Sequence, residues 1–581
     1  MSASDFHSVY RRWLDSPALS REEWAELESI SGDERQIEER FFAPLSFGTA
    51  GLRGVMGAGL HRMNVHVIRH ATQAFADLIV SEGDEARRRG VCICYDCRCN
   101  SEQFAREAAC VMAANGVRVR LFSGMRPTPE LSFAVRHYGA EAGINITASH
   151  NPKEYNGYKV YWSDGAQLPP EHASRVAARM EQLDIFRDIH MVRFEDALAA
   201  GRITWMGEET DEAFLQNVLK QSIDPGAVAA VADTFRVVYT PFHGTGREMV
   251  PEALRRLGLK QLFPVAEQMT PDGTFPTVIS PNPENPEGFY LAVDLARRVG
   301  SDLIIGTDPD ADRIGVLVRE GEEYVPITGN QLGVLLLDYI IRARQRTGTM
   351  PENPIFLKTI VTTEMARVVA AQNGVRVEET FTGFKFMAER LAELAAAGKS
   401  TNYLLAYEES YGYMMGDYVR DKDAVTASML VTEMAAWYAG QGMTLREAMD
   451  ALYETYGAFD ERTINLVMPG LDGLRDMQQL MKQLHSAPPT ELAGTQVLRT
   501  RDYLAGTVSI PGLGPVEKTP ISGSDVLYFE LEDGTSFIIR PSGTEPKIKI
   551  YLLTRGGTRA ECAARIAHYA QWIEAQQARR A

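Results

Sequence analysis

Short, unbroken apolar runs recur along the chain, and most of them end in a loop rich in polar side chains. VCICYD (91–96), GVRVRLFSG (116–124), FRVVYTPF (235–242), DLIIGTD (302–308) and NYLLAYEE (402–409) read as buried strands. MNVHVIRHATQAFADLIV (63–80) and SEQFAREAACVMAANG (101–116) read as helices. In the second, Ser101 is placed as the N-cap and Asn115-Gly116 as the stop. Strands alternating with helices predict βαβ units and largely parallel sheets. The rhythm starts three times, near residues 90, 235 and 355. Beyond about 460 it changes. VLYFELEDGTSFIIR (526–540) is two β-rich runs around Glu532-Asp533-Gly534-Thr535, a hairpin signal, followed by the strand IKIYLLT and an amphipathic helix over 558–577. The expected fold is therefore α/β: three similar α/β domains with mixed, largely parallel sheets, plus a C-terminal α+β domain. The 581 residues fit about four domains at roughly 150 residues each.

Composition narrows the possible roles. Hydrophobic residues make up 45% and charged residues 24%, ordinary for a globular chain. The net charge is −17, which excludes non-specific nucleic-acid binding and adhesion to anionic membranes. An anionic substrate would need a local cluster of cations. MSASDFHSVYRRWLDSP has charges throughout and no apolar core, so no signal peptide is expected; no run of 18 apolar residues occurs, and the address defaults to the cytoplasm. Cys92, Cys94, Cys97 and Cys99 lie too close together for two zinc knuckles, so Cys92 and Cys94 read as small core residues.

In open α/β domains, ligands bind beyond the C-terminal ends of strands, and four such loops carry candidate chemistry. GINITASHNPKEYNGYKVYW (143–162) delivers Ser149 and His150 to a loop. Ser149 suits a nucleophile or phosphate carrier, with a helix cap or turn as the plainer alternative. Lys159, after Asn156-Gly157, sits on the second strand of a hairpin and can return toward it. DLIIGTDPDADRIGV (302–316) alternates Asp308, Asp310 and Asp312, which in an extended loop point to one side. Three converging carboxylates call for a cation, and oxygen ligands suit Mg²⁺. An EF-hand is excluded, because Arg313 stands where that loop needs glycine and Arg319 where it needs glutamate. In LLAYEESYGYMMGDYVRDKDAV (404–425), Glu408 and Ser410 suit sugar hydroxyls, and Arg420 and Lys422 suit an anion. In IIRPSGTEPKIKIY (539–551), Arg540, Ser542, Gly543, Thr544 and Lys547 combine into a phosphate nest, with a plain turn as the alternative. No Walker loop is present.

TASHNP, GTDPDADR, EES-x-G and RPSGTEPK, in this order, resemble the four signature loops of the α-D-phosphohexomutases. The resemblance runs from about residue 45 to the C-terminus, and FGTAGLRG (47–54) and RDKD (420–423) are closest to its long phosphoglucomutase/phosphopentomutase branch. It implies a heart-shaped, four-domain isomerase, an intramolecular phosphotransferase, divided at residues 1–220, 221–325, 326–455 and 456–581. It also implies a phosphoryl group on Ser149 and Mg²⁺ held by Asp308, Asp310, Asp312 and that phosphoserine. Lys159 and Arg53, with His150, would serve catalysis. Arg313, Thr382, Gly383, Glu408, Ser410 and Lys422 would contact the sugar phosphate, and Arg540, Ser542, Gly543, Thr544 and Lys547 the phosphate not in transfer. The implied reaction interconverts glucose 1-phosphate and glucose 6-phosphate, with glucose 1,6-bisphosphate as intermediate and primer. Tyr411 between Ser410 and Gly412 departs from the compact phosphomannomutase form and favours the glucose or pentose branch; a phosphomannomutase or phosphopentomutase is the alternative, ahead of a sugar phosphatase or a non-catalytic sugar-phosphate-binding protein. A monomer or weak dimer is expected.

Overall fold

The computed structural model describes residues 6–48, 51–468, 473–542 and 547–578. Four sheets follow one another along the chain. The first contains β1 (Leu52–Val55), β2 (Val91–Tyr95), β3 (Val119–Phe122), β4 (Ala142–Ile146), β5 (Tyr155–Trp162) and β6 (Ile203–Met206), in the order β1-β5-β4-β2-β3-β6. Its centre is parallel, and β5 and β1 extend it antiparallel. Every residue of β2 and β4 is buried, including Cys92 and Cys94, as expected of strands covered on both faces. The second sheet holds β7 (Arg236–Thr240), β8 (Gln261–Pro264), β9 (Leu303–Thr307), β10 (Ile314–Glu320) and β11 (Glu323–Ile327), in the order β11-β10-β9-β7-β8. The third holds β12 (Ile355–Thr359), β13 (Arg376–Thr380), β14 (Tyr403–Glu408) and β15 (Gly412–Met414), in the order β13-β12-β14-β15.

The fourth sheet is antiparallel throughout. It holds β16 (Ala458–Val467), β17 (Glu491–Leu492), β18 (Thr495–Asp502), β19 (Thr507–Ile510), β20 (Gly514–Lys518), β21 (Leu527–Leu531), β22 (Ser536–Pro541) and β23 (Lys547–Gly556). β21 and β22 form the expected hairpin, and the helix Arg559–Ala578 closes the chain. Three α/β units plus a β-rich α+β unit are thus present.

Two local expectations need correction. The helix Ser101–Ala114 is preceded by Asn100, at φ 66°, as its cap; Ser101 lies inside the first turn and donates its hydroxyl to Asp96 at 2.7 Å. The division at 325 falls inside β11, which pairs with β10 through Val318 and Val325.

The second and third units share one core. The helix Ala424–Ala439, capped by Asp423, is buried on nearly all sides. It packs against the helices Gly246–Arg256 and Pro225–Val231, so Val237 of β7, Leu405 of β14 and Met434 belong to a single apolar cluster. Each of its fully buried Leu, Val and Met side chains contributes about 1.5–3 kcal/mol. The N-terminal helices Phe6–Leu14, Arg21–Ser29 and Glu34–Phe41 add Trp13, Leu27 and Phe41 to the first unit's core. The fourth unit meets the third through a smaller cluster, in which Ile360, Val361 and Phe381 face Tyr503, Tyr528 and Tyr551.

Candidate active site

β4 and β9 end beside each other, and their loops meet. Past Ile146, the Ser149 amide donates to Thr147 Oγ1 at 2.8 Å, the side-chain turn that the plainer alternative for this loop expects. Ser149 itself lies in the left-handed region at φ 53°, a conformation costing a non-glycine residue on the order of 1–2 kcal/mol. Its hydroxyl donates to Asp308 Oδ2 at 2.7 Å and lies 3.2 Å from His150 Nδ1. Burial, then Arg313 and Arg53, keep the His150 pKa well below the ordinary histidine value.

The aspartate loop is a tight turn, not the extended segment expected. Ala311 donates its amide to the Asp308 carbonyl at 2.9 Å and sits at φ 51°. The amides of Asp312 and Arg313 both donate to Asp308 Oδ1 at 3.0 Å. The convergence stands nonetheless: one oxygen each of Asp308, Asp310 and Asp312 lie within 4.8 Å of one another, all three residues buried. Burial, then Asp310 and Asp312, push the Asp308 pKa well above the carboxylate range. Asp310 Oδ1 and Asp312 Oδ1 are buried with no hydrogen-bond partner. Buried, mutually repelling carboxylate oxygens with unused lone pairs fit a hard divalent cation.

The first and third units supply the balancing cations. Lys159, opposite Asn145 in the β4–β5 pair, donates to Asp310 Oδ2 at 2.7 Å and lies 3.6 Å from Asp312. Thr128 donates to the same Asp310 oxygen at 2.7 Å. Lys422 reaches Asp312 at 3.0 Å and Asp421 at 3.3 Å, beneath the Phe384 ring. Arg53, exposed on β1, donates to Asn151 Oδ1 at 3.2 Å. Arg313 is occupied by Glu284, a partner the sequence reading did not name. Arg420 departs from expectation: it is 2% exposed and bonds Asp417 and Val419 carbonyls, bracing its loop away from the aspartates.

Toward the fourth unit the cleft continues. Glu408, at the end of β14, accepts the Gly383 amide at 2.5 Å, and the neighbouring Thr382 hydroxyl is buried without a partner. Ser410 and Glu409 line a cavity of about 380 Å³ together with Glu284, Lys549 and Tyr551. Burial, then Glu408, raise the Glu409 pKa to about 7. Arg540 on β22 stands opposite Lys549 on β23 and donates to the Tyr551 hydroxyl at 3.3 Å. Burial, then Arg540, lower the Lys549 pKa. Two adjacent, half-buried cations thus stand side by side, an arrangement whose mutual repulsion a bound anion would relieve. Lys549 was missed in sequence, although the alternation Lys547-Ile548-Lys549 put both lysines on one face. The Ser542 amide donates to the Lys547 carbonyl at 2.8 Å; Gly543 and Thr544 lie outside the described residues.

Comparison with known proteins follows this geometry. Three family models match: "Phosphoglucomutase/phosphomannomutase, alpha/beta/alpha domain I" over residues 44–185, domain II over 212–321 and domain III over 328–456. A curated phosphoglucomutase of Staphylococcus saprophyticus is 36% identical over 527 residues, covering 89% of this chain and 92% of that protein. Among solved structures, a putative phosphomannomutase from Thermus thermophilus aligns at TM-score 0.66 and 22% identity, covering 92% of this chain and 99% of the other. The open form of the Paramecium phosphoglucomutase pp63/parafusin aligns at TM-score 0.66 and 19% identity, covering 92% and 95%. Both share the fold. No helix among the described residues is long and apolar enough to cross a membrane.

Proposed function

The chain belongs to the phosphoglucomutase/phosphomannomutase family, and from that premise we propose that it interconverts glucose 1-phosphate and glucose 6-phosphate through a phosphoserine at Ser149. The observation that carries this reading is the Ser149 hydroxyl 2.7 Å from Asp308, inside a buried aspartate triad. Phosphoryl transfer asks for in-line placement and neutralised oxygens, with little other covalent help. Asp308, Asp310 and Asp312 would hold Mg²⁺, which supplies Lewis-acid neutralisation of phosphoryl charge. Lys159 and Lys422 present ammonium groups to the same space, and His150 fixes the Ser149 hydroxyl from its other side.

In the forward direction the phosphorus–oxygen bond to Ser149 breaks and one to the sugar O6 forms. The resulting glucose 1,6-bisphosphate turns over, and its C1 phosphoryl returns to Ser149, releasing glucose 6-phosphate. We assign proton movement and charge neutralisation at the serine to Lys159 and Arg53. Glu408 and Ser410, with the Thr382-Gly383 turn, would hold sugar hydroxyls. Arg540, Lys547 and Lys549, with Ser542, Gly543 and Thr544, would hold whichever phosphate is not in transfer. We further propose that the units act as four domains along the expected divisions, with the second extended through Ile327.

The test is turnover of glucose, mannose, ribose and deoxyribose 1-phosphates, with and without glucose 1,6-bisphosphate and Mg²⁺. Glucose 1-phosphate should be preferred and its turnover should need both additions. Equal or better pentose turnover, or primer-independent release of inorganic phosphate, would overturn the proposal.

A further inference from the structure

One buried arginine grips the serine loop, and none of the four signature loops contains it. Arg98, in the turn after β2, has a side chain with no solvent exposure. One guanidinium nitrogen, Nη2, donates to the Ser149 carbonyl at 2.5 Å and also to the Asn151 carbonyl. The other, Nη1, donates to the carbonyls of Pro152 at 2.8 Å and Tyr155 at 3.0 Å. Asp96, also without exposure, balances the charge at 3.3 Å from Nε. Asp96 is itself fixed by the Ser101 hydroxyl and the Arg98 amide. Four carbonyls of one loop therefore converge on a single planar fork, so the loop from Ser149 to Tyr155 wraps around Arg98.

The second unit closes over this anchor. The Phe275 ring lies 5.1 Å from the guanidinium carbon, and Phe275 takes φ 47°. Gly273 in the same loop lies so close to the 97–99 backbone that a Cβ would fall 2.3 Å from the Cys99 amide nitrogen. The loop that presents Ser149 is thus held from behind by Arg98, and Arg98 is covered by the unit that carries the aspartates.

We infer that Arg98 is a positioning residue for Ser149: it fixes the left-handed backbone that aims the hydroxyl at Asp308, and Phe275 ties that setting to the docking of the second unit. This inference rests on the reading of Ser149 as the phosphoryl carrier, but its structural half is measurable without any turnover. A lysine at this position keeps the charge and loses the planar fork, since an ammonium group donates from a single point.

The experiment compares full-length wild type, Arg98→Lys and Phe275→Leu by hydrogen exchange over residues 148–155 and by steady-state kinetics. Arg98→Lys is expected to speed exchange in that segment at least tenfold while the helix Ala424–Ala439 exchanges unchanged. Its kcat should fall at least 100-fold with KM for glucose 1-phosphate within threefold, and Ser149 phosphorylation, read by intact mass after bisphosphate treatment, should slow in parallel. Phe275→Leu, which leaves Arg98 in place, should show the same pattern at three- to tenfold in kcat. Unchanged exchange in 148–155, or a KM rise with kcat preserved, would overturn the inference; the Phe275 variant decides the matter if Arg98→Lys does not fold. If the mutase reading alone were wrong, the exchange effect would persist while wild type showed no bisphosphate-dependent phosphorylation.

Discussion

Around Ser149 the protein engages many polar atoms, with Asp310 Oδ1 and Asp312 Oδ1 left unpartnered: Asp308 accepts three hydrogen bonds, Asp310 is held through its other oxygen by Lys159 and Thr128, and Arg98 donates to four carbonyls. At the far end of the cleft, Arg540 and Lys549 instead stand side by side, like charges across one strand pair. The serine end is preorganised, with its groups locked before any substrate arrives. The Arg540–Lys549 end keeps two like charges adjacent, with Glu409 and Glu284 partly offsetting them, which on the proposed function is where an anionic group would bind. Preorganisation should govern the rate of the chemical step, and the cation pair the binding of substrate.

The contrast breaks most sharply at the serine. Ser149→Ala should reduce turnover at least 10⁴-fold while denaturant unfolding stays near wild type; substantial residual mutase activity would remove Ser149 from the chemistry. Asp310→Asn should cost about 10²–10³-fold in kcat. Its stability loss should fall short of the ~3–5 kcal/mol of a buried pair broken outright, since Asp312 stays 3.6 Å from Lys159. An unchanged kcat at saturating Mg²⁺ would exclude Asp310 from the cation site. At the other end, Lys549→Met should raise KM about tenfold, the equivalent of about 1.4 kcal/mol of binding, with kcat within twofold. A kcat-only effect would dissolve the contrast between the two ends.

The smallest effect concerns the fold of the fourth unit. His485 lies between Asp502 at 2.8 Å and Asp525 at 2.7 Å. Burial disfavours its charge, but the hydrogen bonds its ring N–H groups donate to both aspartates outweigh it, so its pKa is raised in the folded state. A raised histidine pKa contributes stability that is complete below the unfolded value of about 6.5 and fades as pH rises through the folded value. The thermal stability of wild type should therefore fall relative to His485→Gln as pH rises above about 6.5, with kcat unaffected. Parallel pH profiles for the two proteins would exclude a stabilising role for His485 between Asp502 and Asp525.

Much of the layout was legible because the apolar runs of β4, β9 and β14 stop where the candidate site residues begin. Ser149, the three aspartates and Arg540 could be picked out because each follows such a run. Lys549 was half legible, as the second polar position of an alternating strand. Arg98 was not: its role comes from carbonyls more than fifty residues away, and a carbonyl leaves no trace in side-chain identity. Glu284 was hidden for a similar reason, since its only signal is a contact with Arg313 across the second unit. The shared core of the second and third units was equally silent. The helix Ala424–Ala439 is apolar on nearly every face, and such a pattern says that it is buried without saying by what.

That shared core also sets an order of events on the ribosome. Val237 and Leu303 emerge roughly 200 and 130 residues ahead of Met434, yet all three belong to one cluster. At ~5–20 residues per second, β7 waits about 10–40 s for the helix that covers it. During that interval the nascent second unit exposes an apolar face that only its own downstream sequence can close, which makes it the stretch of synthesis where a holding chaperone, or a pause in elongation, would most affect yield.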